Sequence, residues 1–422
     1  MTVRPAPVRL CRVADDDGRE RAEQLDAADA LAGFRERFEF IDPALVYLDG
    51  NSLGRLPVTT AGRIATVVEQ EWGDGLIRSW SAGWMDRPLH VGDRLGAALL
   101  GAGPGETVVC DSTTVNLFKV LSCAMDLRPD RRTVLASRGE FPTDRYIASQ
   151  VAANHGGSVR WLGPLDPAAT WPTEPVDAAE LSMSLSDDTA LLLLSVVDYR
   201  SAALADIAAI TAVVHDVGAL VIWDCSHAVG SVPLELRGAG ADFAVGCSYK
   251  FVNGGPGAPA WIWAHPRHHH TMTTPIPGWM GHADVFAMTG DYVPGPGIRR
   301  FMSGTPSPVA LAAVEAGVEL VAEAGIGAVR EKGMALTEYV MELVDLWLRK
   351  HGVLVASPRD SRRRGAHVAL RHPDAQELSR ALIERGVIVD FRHPNGIRIG
   401  LSPLTTSFTD VHVGLTALRS LL

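Results

Sequence analysis

The sequence predicts an α/β protein in which a large domain with a mainly parallel β-sheet is followed by a smaller α+β domain. Short apolar segments alternate with longer helical segments from about residue 59 to residue 301. This alternation is typical of βαβ units, whose helices cover both faces of a sheet. After a turn at residues 304–308 the pattern changes to a long helical segment followed by short strands. The chain has 422 residues, 47% of them hydrophobic and 21% charged, which suffices for two packed domains.

The predicted elements of the large domain follow one another in a regular order. Apolar segments short enough for buried strands lie at 107–110, 132–137, 190–197, 220–224, 242–249 and 259–265. Helical segments lie at 114–125, 143–156 and 206–219. Residues 275–308 are rich in proline and glycine and form a long irregular connector, a kind of segment that is usually functional in a compact protein.

The smaller domain is predicted from a different pattern. A helical segment at 309–350 precedes strands at 367–371, 387–392 and 396–402, with a further helix between the first two strands. We therefore predict three regions, which are an N-terminal arm joining the smaller domain (1–58), the large domain (59–308) and the smaller domain (309–422).

Composition excludes several classes of protein. The net charge of −10 argues against a nucleic-acid-binding protein, which would show a basic face. No apolar segment approaches the length of a membrane span, and the N-terminal residues lack the apolar centre of a signal peptide. The five cysteines have no CxxC pair and no regular spacing, so we expect reduced thiols, no zinc site and a cytoplasmic location.

Hydroxyl side chains follow the strand predicted at 107–110. Asp111, Ser112, Thr113 and Thr114 lie where a helix begins. Free backbone N–H groups, the helix dipole and side-chain hydroxyls favour the binding of a phosphate at such a position. Taken alone, the same residues are more typical of an ordinary helix N-cap.

Two charged residues follow two further strands of the predicted sheet. Asp224 directly follows the apolar residues 220–223, and Lys250 follows the segment 242–249 and precedes the glycine-rich turn "NGGPG". Each could be an ordinary solvated or capping residue. Together with the phosphate position, however, they match the needs of pyridoxal 5′-phosphate, which takes a lysine, an anion for its ring nitrogen and a phosphate site. Phe141, after the strand at 132–137, is a candidate to cover the cofactor ring.

The residues resemble those of the kynureninase family, whose members are pyridoxal-phosphate enzymes of the aspartate aminotransferase fold (fold type I). The blocks that carry the resemblance cover most of the chain in the expected order: "YLDGNSLGRLP" (47–57), "DSTTVNLF" (111–118), "FPTD" (141–144), "WDCSHAVGSVPLEL" (223–236), "GADFAVGCSYKFVNGGPG" (240–257), "GWMGH" (278–282) and "GIRIGLSPLTTSF" (396–408).

The resemblance implies a role for each matching position. Lys250 would be the Schiff-base lysine and the acid/base for the α-proton, and Asp224 would pair with the ring nitrogen. Tyr249, the third catalytic residue that the resemblance implies, would bind the cofactor phosphate together with Thr113 and Thr114. The other cofactor-binding residues that the resemblance implies are Thr113, Thr114, Phe141, Asp144, Ser195, His227, Trp279 and Thr305. Trp279 and Thr305 would reach the site of the partner subunit in a homodimer. Arg398 would bind the substrate α-carboxylate, and the substrate pocket would include Asn51, Ser52 and Trp84.

The activity that the resemblance implies is hydrolysis of L-kynurenine, or of a 3-hydroxy or other ring-substituted relative, to an anthranilate and L-alanine in tryptophan catabolism. The sequence departs from the family pattern at Asp198 and Ala202, where asparagine and glycine are expected. An alternative within the same fold is a cysteine desulfurase or an aminotransferase, but no cysteine follows Cys247 to act as the desulfurase nucleophile. A non-catalytic regulator of aminotransferase fold would need a DNA-binding module, and no basic region is present.

Overall fold

A seven-stranded sheet forms the centre of the protein in the computed structural model, which describes residues 18–164, 171, 173–288 and 290–422. The strand order is β2-β8-β7-β6-β5-β3-β4, and β8 alone of these strands runs opposite to the others. The strands are β2 (Thr107–Val109), β3 (Thr133–Ser137), β4 (Ser158–Leu162), β5 (Thr189–Ser195), β6 (Leu220–Asp224), β7 (Phe243–Gly246) and β8 (Trp261–Ala264), preceded by β1 (Val46–Tyr47) outside this sheet. The mainly parallel sheet of the prediction is confirmed.

Helices cover both faces of this sheet. The α-helices before the connector are α1 (Arg19–Ala27), α2 (Thr60–Thr66), α3 (Arg87–Leu95), α4 (Thr113–Asp126), α5 (Pro142–Asn154), α6 (Ala178–Ser182) and α7 (Ile207–Asp216). Strand β5 shows why its sequence is a continuous apolar run. Its alternate residues Leu191 and Leu193 belong to the apolar cluster that includes residues of α4 and α5, whereas Leu192 and Leu194 belong to a second cluster that includes residues of α3 and α7. Because both faces are buried, the strand does not alternate apolar with polar residues.

The C-terminal residues form a second, antiparallel sheet. Its strand order is β12-β13-β10-β9, and a two-stranded pair β1-β11 lies beside it. The elements after the connector are α8 (Pro308–Ala324), α9 (Ile326–Leu343), β9 (Leu354–Val355), β10 (His367–Arg371), α10 (Ala375–Glu384), β11 (Val387–Ile388), β12 (Asp390–Arg392), β13 (Gly396–Gly400) and α11 (Phe408–Arg419). Ala22 of α1 and Val46 of β1 share a buried apolar cluster with α9 and α11. The boundaries at residues 58 and 308 stay predictions.

Several elements differ from their prediction, each for a local reason. The helix predicted at 309–350 is broken at Gly325, whose φ of +77° is a conformation that glycine adopts without strain. The strand predicted at 242–249 ends at Gly246, and the strand predicted at 259–265 runs antiparallel. Strand β4 escaped prediction because it is an edge strand with partly exposed residues and therefore lacks an apolar run. The first 17 residues of the predicted arm, including Cys11, lie outside the described residues.

No helix in the described part of the chain is long and apolar enough to cross a membrane. The cysteines that the structure describes are all buried and unpaired, at positions 110, 123, 225 and 247. Burial raises the pKa of each of these thiols, so they are unreactive at neutral pH.

Candidate active site

The carboxyl ends of β5 and β6 lie side by side and begin the site. Ser195 pairs with Asp224 in the parallel register, and the backbone N–H of Val196 donates to the Asp224 carbonyl at 2.8 Å. The carboxyl group of Asp224 is buried, and its Oδ1 accepts from the Ser226 N–H at 2.7 Å. Strand β6 therefore places a buried carboxyl group at the carboxyl ends of the parallel strands, which is where α/β proteins with such sheets bind ligands.

Lys250 lies four residues beyond the end of β7, in a tight loop. The Ser248 carbonyl accepts from the Gly254 N–H at 2.8 Å, and Asn253 adopts a φ of +58°. From the N-terminal segment, the Gly54 N–H donates to the Tyr249 carbonyl at 2.8 Å. A Cβ at Gly54 would lie only 2.3 Å from the Lys250 carbonyl oxygen, so only glycine permits this close approach. The loop is thus held from within and from the N-terminal side.

The amine of Lys250 is in contact with a neutral histidine. Its Nζ lies 2.8 Å from Nε2 of His227. Burial, together with the charge of Lys250, holds the pKa of His227 well below its usual range, so the ring is neutral and Nε2 accepts from the lysine. The proton of the ring is then on Nδ1, which is buried and has no partner among the described residues. The structure therefore brings Lys250 and His227 together.

Carboxyl groups gather around Asp224. Asp144, in the first turn of α5, is hydrogen-bonded to Asp224, and its Oδ2 is buried without a partner among the described residues. Burial and the nearby charges of Asp224 and Glu140 raise the pKa of Asp144 well above its usual value. The raised pKa favours the protonated form of Asp144, whose carboxyl group can then donate the hydrogen bond to Asp224. A buried carboxyl pair of this kind suits a cationic ligand group.

Glu140 belongs to the same cluster and was missed by the sequence interpretation. Its Oε1 accepts from the Ser195 N–H at 3.2 Å, and its Oε2 accepts from the Ser195 hydroxyl. Burial raises the pKa of Glu140 to about 8, and the charges of Asp198 and Asp224 add to the effect. The only signal in the sequence was a charged residue directly before Phe141, and nothing in it distinguished a buried glutamate from a solvated one.

Glu140→Gln is expected to make the stability of the cofactor-free protein less dependent on pH. The pKa of Glu140 is raised from 4.5 to about 8, so between these values the folded state binds more protons than the unfolded state. Stability contributed by the protonated group is therefore lost as the pH rises through this window. The Tm of the wild type should fall more steeply with pH than that of the variant, in which Asp144 is unchanged. Parallel Tm profiles would contradict the buried, protonated state of Glu140.

The predicted phosphate position lies at the N-terminus of α4. Ser112 is the N-cap, and its hydroxyl accepts from the Val115 N–H at 3.4 Å. Thr113 is half-buried and Thr114 is exposed. Asp111 precedes the cap with a φ of +47°, which turns the chain into the helix. The free N–H groups at this helix end and the two threonine residues lie where an anion could bind, and phosphate binding there stays a prediction.

Arg398 lies on β13 and is almost fully buried. Its Nε donates to Asp390 at 2.6 Å, its Nη1 to the Tyr199 carbonyl at 2.6 Å, and its Nη2 to the Ser52 hydroxyl at 3.0 Å. The Asn51 amide oxygen, oriented toward the guanidinium group, accepts from Nη1 at 3.3 Å. The structure therefore brings Asn51, Ser52 and Arg398 together, with Asp390 as an ionic partner that the sequence interpretation did not include.

The ring of Phe141 contacts the segment whose backbone binds Arg398. It is 42% exposed, and it makes an edge contact with Tyr199 at 5.4 Å between ring centroids. Because the Tyr199 carbonyl also accepts from Arg398, one short segment links the aromatic ring to the arginine. The hydroxyl of Tyr249 lies beside the Cys247 thiol, and burial raises the pKa of this phenol, which stays protonated at neutral pH.

Trp279 and Thr305 both lie in the long connector. A Cβ at Gly278 would lie 2.0 Å from the Ser303 carbonyl, so the segments that carry the two residues are in contact. Trp84 donates from Nε1 to Glu71 and makes an edge contact with Trp80. No hydrogen bond, ion pair or ring contact among the described residues joins Trp279, Thr305 or Trp84 to Lys250, Asp224 or Arg398.

The two departures from the family pattern occupy one tight turn. Asp198 Oδ1 accepts from the backbone of Arg200 at 3.0 Å and from that of Ser201 at 2.7 Å. Ala202 has a φ of +64°, a conformation that favours glycine. The turn keeps its shape with alanine at a cost of about 1 kcal/mol, and Asp198 fixes it through backbone hydrogen bonds.

Three successive histidines lie at 268–270, and the first of them is not a solvated loop residue. His268 is buried, with Nε2 at 2.8 Å from Asp242 Oδ1, and Asp242 also contacts His215 and Arg267. In the residues that the structure describes, no group of three or more histidine, cysteine, aspartate or glutamate side chains is arranged so that it could hold a metal ion.

The residues at the sheet edge fit pyridoxal 5′-phosphate. The Asp224–Asp144 pair is buried, and Asp144 Oδ2 has no hydrogen-bond partner among the described residues. The pair would supply a negative charge next to the positively charged ring nitrogen of the cofactor. The Lys250 amine, the half-exposed Phe141 ring and the N-terminus of α4 supply the other groups that this cofactor requires.

Comparison with known proteins places the chain among named relatives. A family model described as the kynureninase C-terminal domain matches residues 329–418. The chain is 42% identical to a kynureninase of Pseudomonas fluorescens over 394 residues. The aligned region covers 92% of this chain and 91% of that relative. It is 41% identical over 409 residues to a kynureninase of Burkholderia pseudomallei, with 96% and 95% of the two chains covered.

Solved structures share the fold at lower identity. A cysteine desulfurase from Thermococcus onnurineus superimposes with a TM-score of 0.76 at 16% identity, covering 89% of this chain and 94% of that chain. A C-DES variant with glycine covalently linked to its pyridoxal-phosphate cofactor superimposes with a TM-score of 0.79 at 18% identity. The superposition covers 91% of this chain and 98% of that chain. These likenesses confirm the predicted fold class.

Proposed function

The chain belongs to the kynureninase family, and on that premise we propose that it hydrolyses the Cβ–Cγ bond of L-kynurenine to give anthranilate and L-alanine. The observation that carries the proposal is the identity of 41–42% to kynureninases over nearly the whole chain. The grouping of Lys250, His227, Asp224 and Asp144 at one sheet edge supports it. The desulfurase alternative is disfavoured, because the described cysteines are buried.

Pyridoxal 5′-phosphate is the cofactor of this proposal, and when bound it supplies a ring that withdraws the electron pair released at the reacting carbons. Lys250 would hold it covalently, Asp224 would pair with its ring nitrogen, and Phe141 would cover one face. The remaining positions proposed to bind it are Thr113, Thr114, Asp144, Ser195, His227 and Tyr249, joined by Trp279 and Thr305 of the partner chain.

Lys250 is the residue that we propose moves the α-proton of the substrate. Its amine can take a proton at Nζ and give it back nearby, because His227 is neutral and accepts a hydrogen bond without competing for the charge. The raised pKa of Asp144 favours its neutral form, which limits the negative charge on this side of the site. The loop around Lys250 is tied to Gly54, which limits the movement of the lysine backbone.

Arg398 is the residue that we propose orients the substrate through its α-carboxylate. A guanidinium fork matches the two oxygen atoms of a carboxylate. Asp390 contacts both Arg398 and Arg392, the latter at 3.0 Å, so it can keep one ionic partner while the substrate takes the other. Asn51 and Ser52 are placed beside the same fork and would complete this end of the pocket.

The experiment that tests the proposed function follows the aromatic product. Purified protein reconstituted with pyridoxal 5′-phosphate should convert L-kynurenine to fluorescent anthranilate and an equal amount of L-alanine. Parallel incubation with 3-hydroxykynurenine and a ring-methylated analogue measures the preference for ring substituents, to which Trp84 is proposed to contribute. A loaded protein that releases no aromatic product from any of the three, or that forms alanine and sulfide from cysteine, would contradict the proposal.

A homodimer with shared sites is part of the proposal. Several aromatic side chains near the site and connector are exposed in the single chain, including Tyr146 at 67%, Phe286 at 60% and Trp279 at 38%. Burying them between two chains would remove apolar surface from water. We place the dimer in the cytoplasm, because the described cysteines are unpaired, as is usual in that compartment.

Mixed dimers of Lys250→Ala and Trp279→Ala are expected to regain activity that neither variant has alone. If Trp279 serves the partner's site, one site of each mixed dimer combines the intact lysine of one chain with the intact tryptophan of the other. Random mixing makes half of the dimers mixed, so about a quarter of all sites should be restored. The measurement is product formation after the two variants are unfolded and refolded together.

Subunit exchange is verified in the same sample, for example with chains that carry different affinity tags. If exchange is complete and activity does not rise above that of the separate variants, Trp279 does not serve the partner's site.

A further inference from the structure

Lys119 has no assigned role, yet it is one of only four lysines in the chain and is fully buried. It lies on α4, two turns after the N-cap Ser112. Its Nζ donates to Asp111 Oδ2 at 2.6 Å, to the Ser303 hydroxyl at 2.9 Å and to the Phe301 carbonyl. All three N–H bonds of the ammonium group are therefore used, which is how a buried charge is stabilised.

These contacts join two segments that both lead to the proposed cofactor site. Asp111 directly precedes the N-cap of the phosphate position, and Ser303 lies two residues before Thr305 in the connector. The Ser303 hydroxyl also donates to Asp111 Oδ2 at 3.2 Å. Lys119, Asp111 and Ser303 thus form one cluster, which we call the Lys119 cluster.

The charge of Asp111 makes the cluster significant. A carboxylate next to the N-terminus of α4 would repel a phosphate that binds there, because two like charges within a few ångströms of each other repel strongly at a partly buried site. The side chain of Asp111 is 28% exposed, whereas that of Lys119 is 0% exposed. The ammonium group faces Asp111 from inside the protein and cancels its charge, and the helix N-terminus then presents net positive potential to an anion.

We propose that Lys119 is a positioning residue that makes the N-terminus of α4 a phosphate site, by neutralising Asp111 and fixing it to the connector at Ser303. The inference rests on the proposed function only in taking the phosphate of the cofactor as the ligand. Lys119 acts through Asp111, so its effect is specific to ligands that carry the phosphate group.

Affinity measurements on cofactor-free protein test this specificity. Lys119→Met should weaken the binding of pyridoxal 5′-phosphate by at least about tenfold, because it leaves the Asp111 charge unpaired beside the phosphate. The affinity for pyridoxal, which lacks the phosphate, should change by less than about twofold, since pyridoxal has no anionic group for the Asp111 carboxylate to repel. Inorganic phosphate, used as a competitor of pyridoxal 5′-phosphate, should lose affinity in parallel with the cofactor.

The double variant Asp111→Asn, Lys119→Met separates a charge effect from a packing effect. Removing the unpaired anion should restore most of the affinity for pyridoxal 5′-phosphate that Lys119→Met loses, and Lys119→Arg, which keeps the charge, should bind more tightly than Lys119→Met. A general defect in packing would weaken pyridoxal as much as its phosphate, and the second substitution would restore nothing. Either of those results, or wild-type affinity in Lys119→Met, overturns the proposal.

If Lys119→Met does not fold, Asp111→Asn alone decides the question. This variant removes the anion and keeps the lysine, so it should bind phosphate more tightly than the wild type, and unchanged or weaker binding overturns the proposal. None of these measurements uses turnover. A wild type that binds the cofactor through its phosphate but does not cleave kynurenine would contradict the proposed function alone.

Discussion

Lys250→Ala is expected to lower kcat by at least about a thousandfold, because the substitution removes both the covalent attachment of the cofactor and the group that moves the α-proton. The structure offers no nearby replacement. Of the other three lysines, Lys119 and Lys332 are buried in ion pairs with Asp111 and Asp29, and Lys350 is exposed near the end of the helical segment that follows α9. The fold should survive, since Lys250 is half-buried and its loop is held by backbone hydrogen bonds.

The measurement combines kinetics with chemical labelling. Borohydride treatment of the wild-type holoenzyme should fix the cofactor to the peptide that contains Lys250, and the variant should show no label. Lys332→Ala, which removes a lysine far along the chain, serves as the control and should keep the label at Lys250. Label on another lysine, or a variant that retains a substantial fraction of wild-type turnover, would falsify the assignment of Lys250.

Asp224→Asn is the second large effect that we expect. The substitution keeps the shape but removes the negative charge that Asp224 carries next to the protonated Asp144. The cofactor ring nitrogen would lose its anionic partner, so kcat should fall by about a hundredfold or more while KM changes little. Asp144→Asn is the matched control, because it removes the protonated member of the pair and leaves the anion. Its effect on kcat should be smaller.

Arg398→Lys should fail in a different way. The lysine keeps the positive charge but loses the fork that bonds Asp390, the Tyr199 carbonyl and Ser52. We expect KM for substrates with an α-carboxylate to rise by about tenfold or more, with a smaller change in kcat. Steady-state kinetics on both variants decide between the roles. A KM effect at Asp224 combined with a kcat effect at Arg398 would mean that the two assignments are reversed.

Local sequence was enough to predict the elements that place most of the site. Continuous apolar runs predicted strands β5 and β6, since both of their faces are covered by helices. The hydroxyl residues after β2 predicted the start of α4, because Ser112 caps a helix through its own side chain. Where local sequence carries no such periodicity, as in the partly exposed edge strand β4, prediction failed.

By itself, the sequence determined the α/β class, the mainly parallel sheet and the motifs at the strand ends, because these depend on residues that are neighbours along the chain. Only the tertiary structure decided which charges are buried and what they face. The hydrogen bonds that decide this join residues 8 to 184 positions apart in the chain. They are the bonds of Glu140 with Ser195, of Asp390 with Arg398, and of Lys119 with Asp111 and Ser303. The pKa of a carboxyl group and the bonds of an ammonium group depend on desolvation and on partners brought together in space, and the linear sequence records neither.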